Sequence, residues 1–207
     1  MTTLRNQRPV LSRLGLRRLP MLFAVGVVAL GVSGCAIAGR PARPRNVTAV
    51  ELANGAEPYF WAGPVTYQVQ VSRQLNPFDT YDVQYMAGVK TAQDLNAQQF
   101  WFGVFLWAKN QTNHNVQTAD KFRLLDSAGD VFYPVHLNPS INPFAWTSQT
   151  LSPGAVEPAD GSIAAAMSTA GGMILFKLNQ GVYANRPLTL QVFAPGSSKP
   201  SDVSLDL

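Results

Sequence analysis

The chain has 207 residues, of which 46% are hydrophobic and 14% are charged, so it has the composition of a protein that folds around a core. Eight of its 16 basic residues fall within residues 1–45 and all 12 acidic residues fall after them, which leaves residues 46–207 with a formal charge of −4. Nucleic-acid binding requires clustered lysine and arginine on the folded surface, so we expect no nucleic-acid partner.

The N-terminal region predicts an export signal. Residues 1–20 are basic, and residues 21–34 (MLFAVGVVALGVSG) are uncharged and mostly apolar. This run is too short for a membrane-spanning helix, which needs about 20 residues to cross about 30 Å of hydrocarbon. A basic segment followed by a short apolar run is instead typical of a secretory signal. We therefore expect residues 1–34 to form a signal peptide.

The single cysteine of the chain, Cys35, comes directly after Val32, Ser33 and Gly34. This sequence resembles the bacterial lipobox, in which the cysteine thiol receives a diacylglyceryl group and the chain is cut just before the cysteine. The resemblance implies that Cys35 is the lipid attachment site and that the membrane is a partner through this lipid. Two acyl chains hold a protein at a bilayer stably, whereas one chain gives marginal binding. An ordinary cleaved signal with a free cysteine and an uncleaved signal-anchor helix are the alternatives.

Residues 35–60 are predicted to contain the lipidated cysteine and a flexible linker. Pro41 and Pro44 favour extended backbone, and the small residues around Gly39 offer little to pack. The arginines of this segment could lie against anionic headgroups or could belong to a solvated spacer. With one cysteine in the chain, no internal disulfide can form, so the stability of the exported region must come from its core.

Residues 61–207 are predicted to form one domain made of short strands. Residues 65–73 (VTYQVQVSR) alternate apolar and polar side chains, which is typical of a half-buried strand. Residues 99–110 (QFWFGVFLWAKN) are apolar on both faces, so we expect this strand to be covered on both sides. Residues 81–85 also alternate, but Asn76-Pro77 and the polar residues nearby indicate an excursion from the sheet.

The clearest hairpin is predicted at residues 120–126 and 131–135, around a turn in which Gly129 can adopt positive φ. Residues 136–154 are predicted to be a loop rich in proline and asparagine. A weak strand signal at 162–168 and stronger signals at 172–178 and 188–194 follow. About seven short strands separated by turn residues indicate an all-β antiparallel sandwich.

The succession FWFGVFLWAKNQT, FRLLDSAGDVFYPV, LSPG, GGMILFKLN and NRPLTLQV is similar to bacterial lipoproteins that carry an immunoglobulin-like (telokin-like) domain of unknown function, family 4352. The resemblance covers about residues 65–194. It implies an immunoglobulin-like β-sandwich that is exported and lipid-anchored, with no established catalytic residues. The chain departs from the family pattern in residues 74–98 and 136–150, where a specific role would lie.

No catalytic, metal or cofactor site is predicted. The sequence has no G-x-S-x-G motif, and Cys35 is assigned to lipid. The two histidines, His114 and His136, are assigned to a solvated turn and to the start of a loop. The acids around the predicted hairpin turn lack the spacing of a calcium loop, and we expect them to be solvated. The loop acids Glu157 and Asp160 are assigned to solubility.

Five aromatic residues are the candidate contacts for a ligand or partner. Trp101, Phe105 and Trp107 share one face of the predicted strand 99–110, and Phe144 and Trp146 lie in the long loop. In one interpretation the loop folds over that face and the rings are core. In the other the rings line an exposed groove for a peptide, glycan or lipid, because rigid aromatic side chains are common at contact surfaces.

These observations predict a non-catalytic, lipid-anchored protein on the extracytoplasmic side of the cell membrane, whose sandwich binds another component of the envelope. An accessory or structural subunit of an envelope complex is one alternative. A weak extracytoplasmic hydrolase that uses scattered carboxylates is another.

Overall fold

The computed structural model describes residues 46–48 and 59–205. The predicted signal peptide at 1–34, the lipobox residues Val32, Ser33 and Gly34, and Cys35 lie outside the described residues, so these assignments stay predictions. No helix in the described part of the chain is long and apolar enough to cross a membrane.

The described residues form short strands with little helix. The strands are β1 Asn46–Thr48, β2 Tyr59–Ala62, β3 Val65–Leu75, β4 Gln99–Asn110, β5 Val116–Gln117, β6 Lys121–Leu125, β7 Val131–Phe132, β8 Thr150–Leu151, β9 Val156–Glu157, β10 Gly172–Asn179, β11 Leu188–Phe193 and β12 Pro200–Leu205. A one-turn helix, α1 (Ile163–Ala166), and two 3-10 turns, Val83–Met86 and Gln180–Tyr183, complete the elements.

Two five-stranded sheets pack face to face. The first has the order β1-β12-β11-β6-β7, and the second has the order β10-β4-β3-β2, with β9 added to one end of β4. Every pairing in these sheets is antiparallel except that of β1 with β12. The short β5 and β8 form a separate ribbon. The protein is an all-β sandwich, as the spacing of its strands predicts.

The core between the sheets follows from the alternation of side chains along β3 and β4. Val65, Tyr67 and Val69 of β3 and Phe102 and Leu106 of β4 are all at most 2% exposed and belong to one cluster. Because neighbouring residues of a strand point to opposite faces, Trp101, Gly103 and Phe105 of β4 point away from this core. These three residues are also buried, which confirms that this strand is covered on both sides.

Residues 81–85 lie largely in a 3-10 turn outside the sheets, which agrees with the predicted excursion. Other predicted elements differ in the structure. Part of 162–168 is the helix α1, whose start is capped by the Ser162 hydroxyl accepting a bond from the Ala165 N–H at 3.2 Å. The predicted strand 131–135 ends at Phe132. The strands β1 and β2 begin within residues 35–60, which the sequence assigned to a linker, and β12 was not predicted.

Candidate functional site

The second face of β4, which carries Trp101 and Phe105, is covered by two segments of chain. These are residues 76–98, between β3 and β4, and residues 136–148, between β7 and β8. The buried members of this second cluster are Leu75, Tyr85, Met86, Trp101, Phe105, Phe144, Ala164, Met173 and Leu175.

The two covering segments are joined through Asn142, which is fully buried. Its side-chain amide donates to the carbonyl oxygens of Tyr85 at 2.8 Å and Ala87 at 3.3 Å, and its side-chain oxygen accepts from the Phe144 N–H at 3.1 Å. The Tyr85 ring lies edge-on to Phe144 at 4.8 Å and to Phe105 at 5.0 Å, measured between ring centroids. Hydrogen bonds and ring packing therefore hold the two segments against the sheet.

This arrangement corrects the groove interpretation for three of the five candidate aromatic residues. Trp101, Phe105 and Phe144 are 2%, 0% and 3% exposed, so they are core residues and offer no free surface. The Trp101 indole N–H donates to the carbonyl of Ala92 at 2.6 Å, and Lys177 lies over its ring. For these three residues, the interpretation in which the loop folds over the strand face is the correct one.

The other two candidates, Trp107 and Trp146, are only partly buried. Trp107 lies near the end of β4, with its ring edge-on to Tyr59 at 6.3 Å. Trp146 packs towards the core between the sheets, where its indole N–H donates to the buried carbonyl of Ala119 at 2.8 Å. The sequence places Trp146 in the long loop, but its contacts with Ala119 and Phe122 form only in the folded chain.

A cleft of about 570 Å³ opens beside Trp146, on the side of the sandwich where β7 and β10 are the last strands of their sheets and β6 lies next to β7. Its walls are residues 120–122, the segment 133–137 and the loop residues 145–148, and its floor is residues 173–175 of β10. A volume of this size is in the range of small-ligand sites, which span about 300–1,000 Å³. Trp146 is the one candidate aromatic residue that lines it.

The cleft exists because the chain leaves one sheet for the other after β7. Instead of continuing beside β6, Pro134 forms a bridge with Phe176 of β10, and the Val135 N–H donates to the carbonyl of Leu175 at 2.7 Å. Further along, the Trp146 N–H donates to the carbonyl of Met173 at 2.9 Å. The crossing segment therefore spans the two sheets and leaves space between itself and β6.

The cleft combines an apolar interior with a polar rim. Leu137, Met173 and Ile174 are apolar residues that line the cleft beside Trp146, while the exposed residues at the rim include both acidic and basic side chains. The polar rim residues are Asp120, Lys121, Tyr133, His136, Thr147 and Ser148. An apolar interior with a few polar groups at its edge suits binding of a ligand with one apolar anchor.

A buried carboxyl group lies behind the loop that carries Trp146. Glu157 is 3% exposed, and its Oε2 atom has no hydrogen-bond partner. Burial raises the pKa of Glu157 to about 7, although contacts from Thr118, the Thr147 N–H and Gln149 act in the opposite direction. The assignment of Glu157 to solubility is therefore wrong. Local sequence carries no signal for this burial, because β9 is two residues long and follows a loop.

The neighbouring Tyr67 belongs to the same polar group inside the sandwich. Its hydroxyl accepts a hydrogen bond from the Ala119 N–H at 2.7 Å. Burial raises the pKa of Tyr67, the Ala119 hydrogen bond lowers it, and the nearby Glu157 carboxylate raises it. Ala119 thus joins both Tyr67 and Trp146 through its backbone, and connects the wall of the cleft to the core.

The histidines and the acids of the hairpin turn do not come together into one site. His114 is exposed in the turn after β4, and His136 is exposed at the rim of the cleft. Asp126 is buried, and its carboxylate accepts bonds from the N–H groups of Ala128 and Asp130 within the hairpin turn. No group of three or more His, Cys, Asp or Glu side chains in residues 46–48 and 59–205 could hold a metal ion.

The fold and cleft together define a two-sheet β-sandwich with an open cleft at one edge of the sheets. The sequence matches no protein-family model and no curated protein. Among solved structures, it is similar to the yjhA protein from Bacillus subtilis, with 14% identity over 72% of this chain and 97% of that chain and a TM-score of 0.46.

Two further structures are similar at the same level. One is ycdA from Bacillus subtilis, which is proposed to be a lipoprotein, with 11% identity, a TM-score of 0.43 and coverage of 73% of this chain but 38% of that chain. The other is an uncharacterized β-sandwich protein from Clostridium difficile, with 8% identity, a TM-score of 0.41 and coverage of 77% and 93% of the two chains. These similarities assign no ligand or activity to the chain.

Proposed function

We propose that the protein is a lipoprotein of the cell envelope, held at the extracytoplasmic side of the membrane by a lipid on Cys35. In this proposal its immunoglobulin-like, telokin-like sandwich is a non-catalytic module that binds another envelope component. The observation that carries the binding role is the open cleft beside Trp146, with its apolar interior and mixed-charge rim. The sequence around Cys35 supports the anchor.

The geometry favours a binding role because the cleft has a sheet edge and a fixed aromatic side chain, which are features of contact surfaces. Its floor is the edge of a sheet, and its wall includes a tryptophan whose indole N–H is already bonded to the Ala119 carbonyl. A rigid aromatic wall of this kind can contact a ligand at little entropic cost, since its side chain is held before binding. The linker would let the sandwich reach a partner while the lipid keeps it near the bilayer.

The anchor is tested by expressing the full chain in a bacterium and determining the mass of the mature N-terminus. We expect a diacylglyceryl group on Cys35, loss of residues 1–34, and a protein that stays with washed membranes at high salt. Cys35→Ser should remove the lipid, because a hydroxyl cannot replace the thiol in the transfer. Ser33→Ala is the matched control, since a small residue is kept before the cysteine, and it should still be lipidated.

Protease treatment of intact spheroplasts locates the sandwich. Digestion from outside is expected for the full chain, and protection would contradict the extracytoplasmic assignment. An unmodified Cys35 thiol on a protein recovered in the soluble fraction would overturn the anchor.

A further inference from the structure

The pairing of β6 with β7 stops at the edge of the cleft. Leu125 pairs with Val131 and Leu124 pairs with Phe132. If the ladder continued in the same register, Phe122 would pair with Pro134. Proline has no N–H to donate to a neighbouring strand, and Pro134 instead lies beside Phe176 of the other sheet.

The direction of the Phe122 backbone follows from the register. The Asp126 N–H donates to the Asp130 carbonyl at 3.1 Å, so this is a hydrogen-bonded pair of the hairpin. Along an antiparallel strand, the residues whose backbone groups face a given neighbour occur at every second position. The N–H and C=O of Leu124, and after it Phe122, therefore point to the side of β6 that faces away from β11.

At Leu124 this side is occupied by β7, but at Phe122 it is the wall of the cleft. Phe122 and Lys121 line the cleft on one side, and residues 133–137 line it on the other. The gap between them is the place that a further strand would occupy.

We propose that the cleft binds an extended polypeptide segment, which adds to the edge of β6 at Phe122 and places one apolar side chain against Trp146. This inference names the ligand class of the proposed binding function and rests on it. The N–H and C=O of Phe122 form a reciprocal pair of hydrogen bonds with one residue of the segment, as in other cases of strand addition.

The backbone at this edge favours a polypeptide over a glycan or a lipid. The N–H and C=O of Phe122 can bond to the C=O and N–H of one residue in an extended peptide. Acyl chains offer no such groups. Sugar hydroxyls could bond either atom, but their geometry is not fixed to the repeat of a strand. The oppositely charged Asp120 and Lys121 at the rim also fit a peptide that carries both signs of charge.

The register also predicts the side chain that enters the cleft. Residues that pair directly across two strands point to the same face of the sheet. The Phe122 ring points into the sandwich, where it lies edge-on to Trp146 at 5.9 Å between ring centroids. The ligand residue opposite Phe122 must therefore point the same way, towards Trp146 and Ile174, which lie on the same side of β10 as Phe122. We expect this residue to be apolar.

The test uses the purified full chain in detergent micelles, labelled with ¹⁵N-phenylalanine. The probe is the peptide acetyl-Thr-Ser-Leu-Ser-Thr-amide, whose central leucine is its single apolar residue. The Phe122 amide signal is assigned by its loss in Phe122→Leu. We expect saturable movement of this signal to lower field as its N–H bonds to the probe, while the amide signal of Phe102 in the central strand β4 stays in place.

Two matched peptides separate strand addition from apolar contact alone. The same peptide with an N-methylated central leucine keeps the side chain but cannot donate to the Phe122 carbonyl, and we expect it to bind about tenfold more weakly. The peptide with serine at the centre should also bind about tenfold more weakly, because it lacks the apolar anchor. Equal binding of the N-methylated peptide, or binding that leaves the Phe122 amide unchanged, would overturn the proposal.

A variant of the protein gives a second measurement. Ala145→Phe adds a ring to the wall of the cleft while keeping the backbone bridge to Met173, and it should abolish binding of the leucine peptide. If this variant does not fold, the comparison of the three peptides on the unchanged chain still decides. Cys35 lipidation is measured on the same preparation, so a lipidated protein that binds no probe refutes the peptide proposal alone.

Discussion

Replacing Glu157 by glutamine should remove a large part of the pH dependence of stability between about pH 4.5 and pH 7. Glu157 is enclosed between the sheets, and its Oε2 atom has no partner in the fold. A carboxylate in such a place loses its hydration without an equivalent replacement, so the folded state favours the protonated form. Glutamine has nearly the same shape and no charge, and it keeps an oxygen for Thr118 and the Thr147 N–H.

The sign of the effect follows from the raised pKa. Below about pH 4.5 the carboxyl is protonated in both the folded and the unfolded chain, and its contribution to stability is complete. As the pH rises towards 7, the unfolded chain releases the proton first, and the stability of the fold decreases. Between an ordinary pKa of 4.5 and a pKa of about 7, at about 1.4 kcal/mol per pKa unit, the loss is about 3 kcal/mol.

The measurement is urea unfolding of the full chain, followed by tryptophan fluorescence, at several pH values from 4 to 8.5. The difference in unfolding free energy between Glu157→Gln and the unchanged chain should shift in favour of the variant by about 3 kcal/mol from the acid to the alkaline end. Asp160→Asn, which removes the charge of an exposed side chain three residues after Glu157, is the control and should show no comparable shift. Parallel curves for the unchanged chain and Glu157→Gln would refute the assignment of a buried, destabilised carboxylate.

Two further substitutions test how the covering loop is held. Asn142→Ala should lower the unfolding free energy by about 1–3 kcal/mol, because it leaves the buried carbonyl of Tyr85 without its donor. Asn138→Ala, at an exposed position of the same loop, is the control and should cost less. Equal losses of the two variants in urea unfolding would contradict this account. Trp146→Phe should cost about 1–3 kcal/mol, since the buried Ala119 carbonyl loses its indole donor. Trp107→Phe is its partly exposed control, and a larger loss there would refute the role given to the Trp146 indole.

The parts of the fold that could be predicted from the sequence are those set by local pattern. The alternation in β3 and the two apolar faces of β4 can be recognised in the sequence, because side chains along a strand point to the same face at every second residue. The hairpin at β6 and β7 was also predicted correctly, since Gly129 adopts a φ of 92° in its turn. The loop that covers Trp101 was one of two interpretations, and burial decided between them.

The parts that could not be predicted depend on contacts between segments far apart in the chain. The strand signal at 162–168 is weak. Ser162 caps the start of a helix there, so this segment forms the one-turn helix α1 in place of a strand. Glu157 reads as a loop acid because only the pairing of β9 with β4 turns it into the core. Asn142 reads as a turn residue before proline, while in the fold it bonds the backbone of a segment 55 and 57 residues away.

Pro134 shows how one residue can determine both the fold and the site. Its missing N–H prevents the pairing with Phe122 that the hairpin register would otherwise give. The chain then crosses to β10, where it covers one sheet edge and leaves the other open. An open strand edge carries unpaired N–H and C=O groups, and natural proteins ordinarily protect it with a charged residue, a bulge or a partner strand. The exposed Lys121 protects the outer rim of this edge, while the backbone of Phe122 faces the cleft, where the proposed peptide segment would complete its pairing.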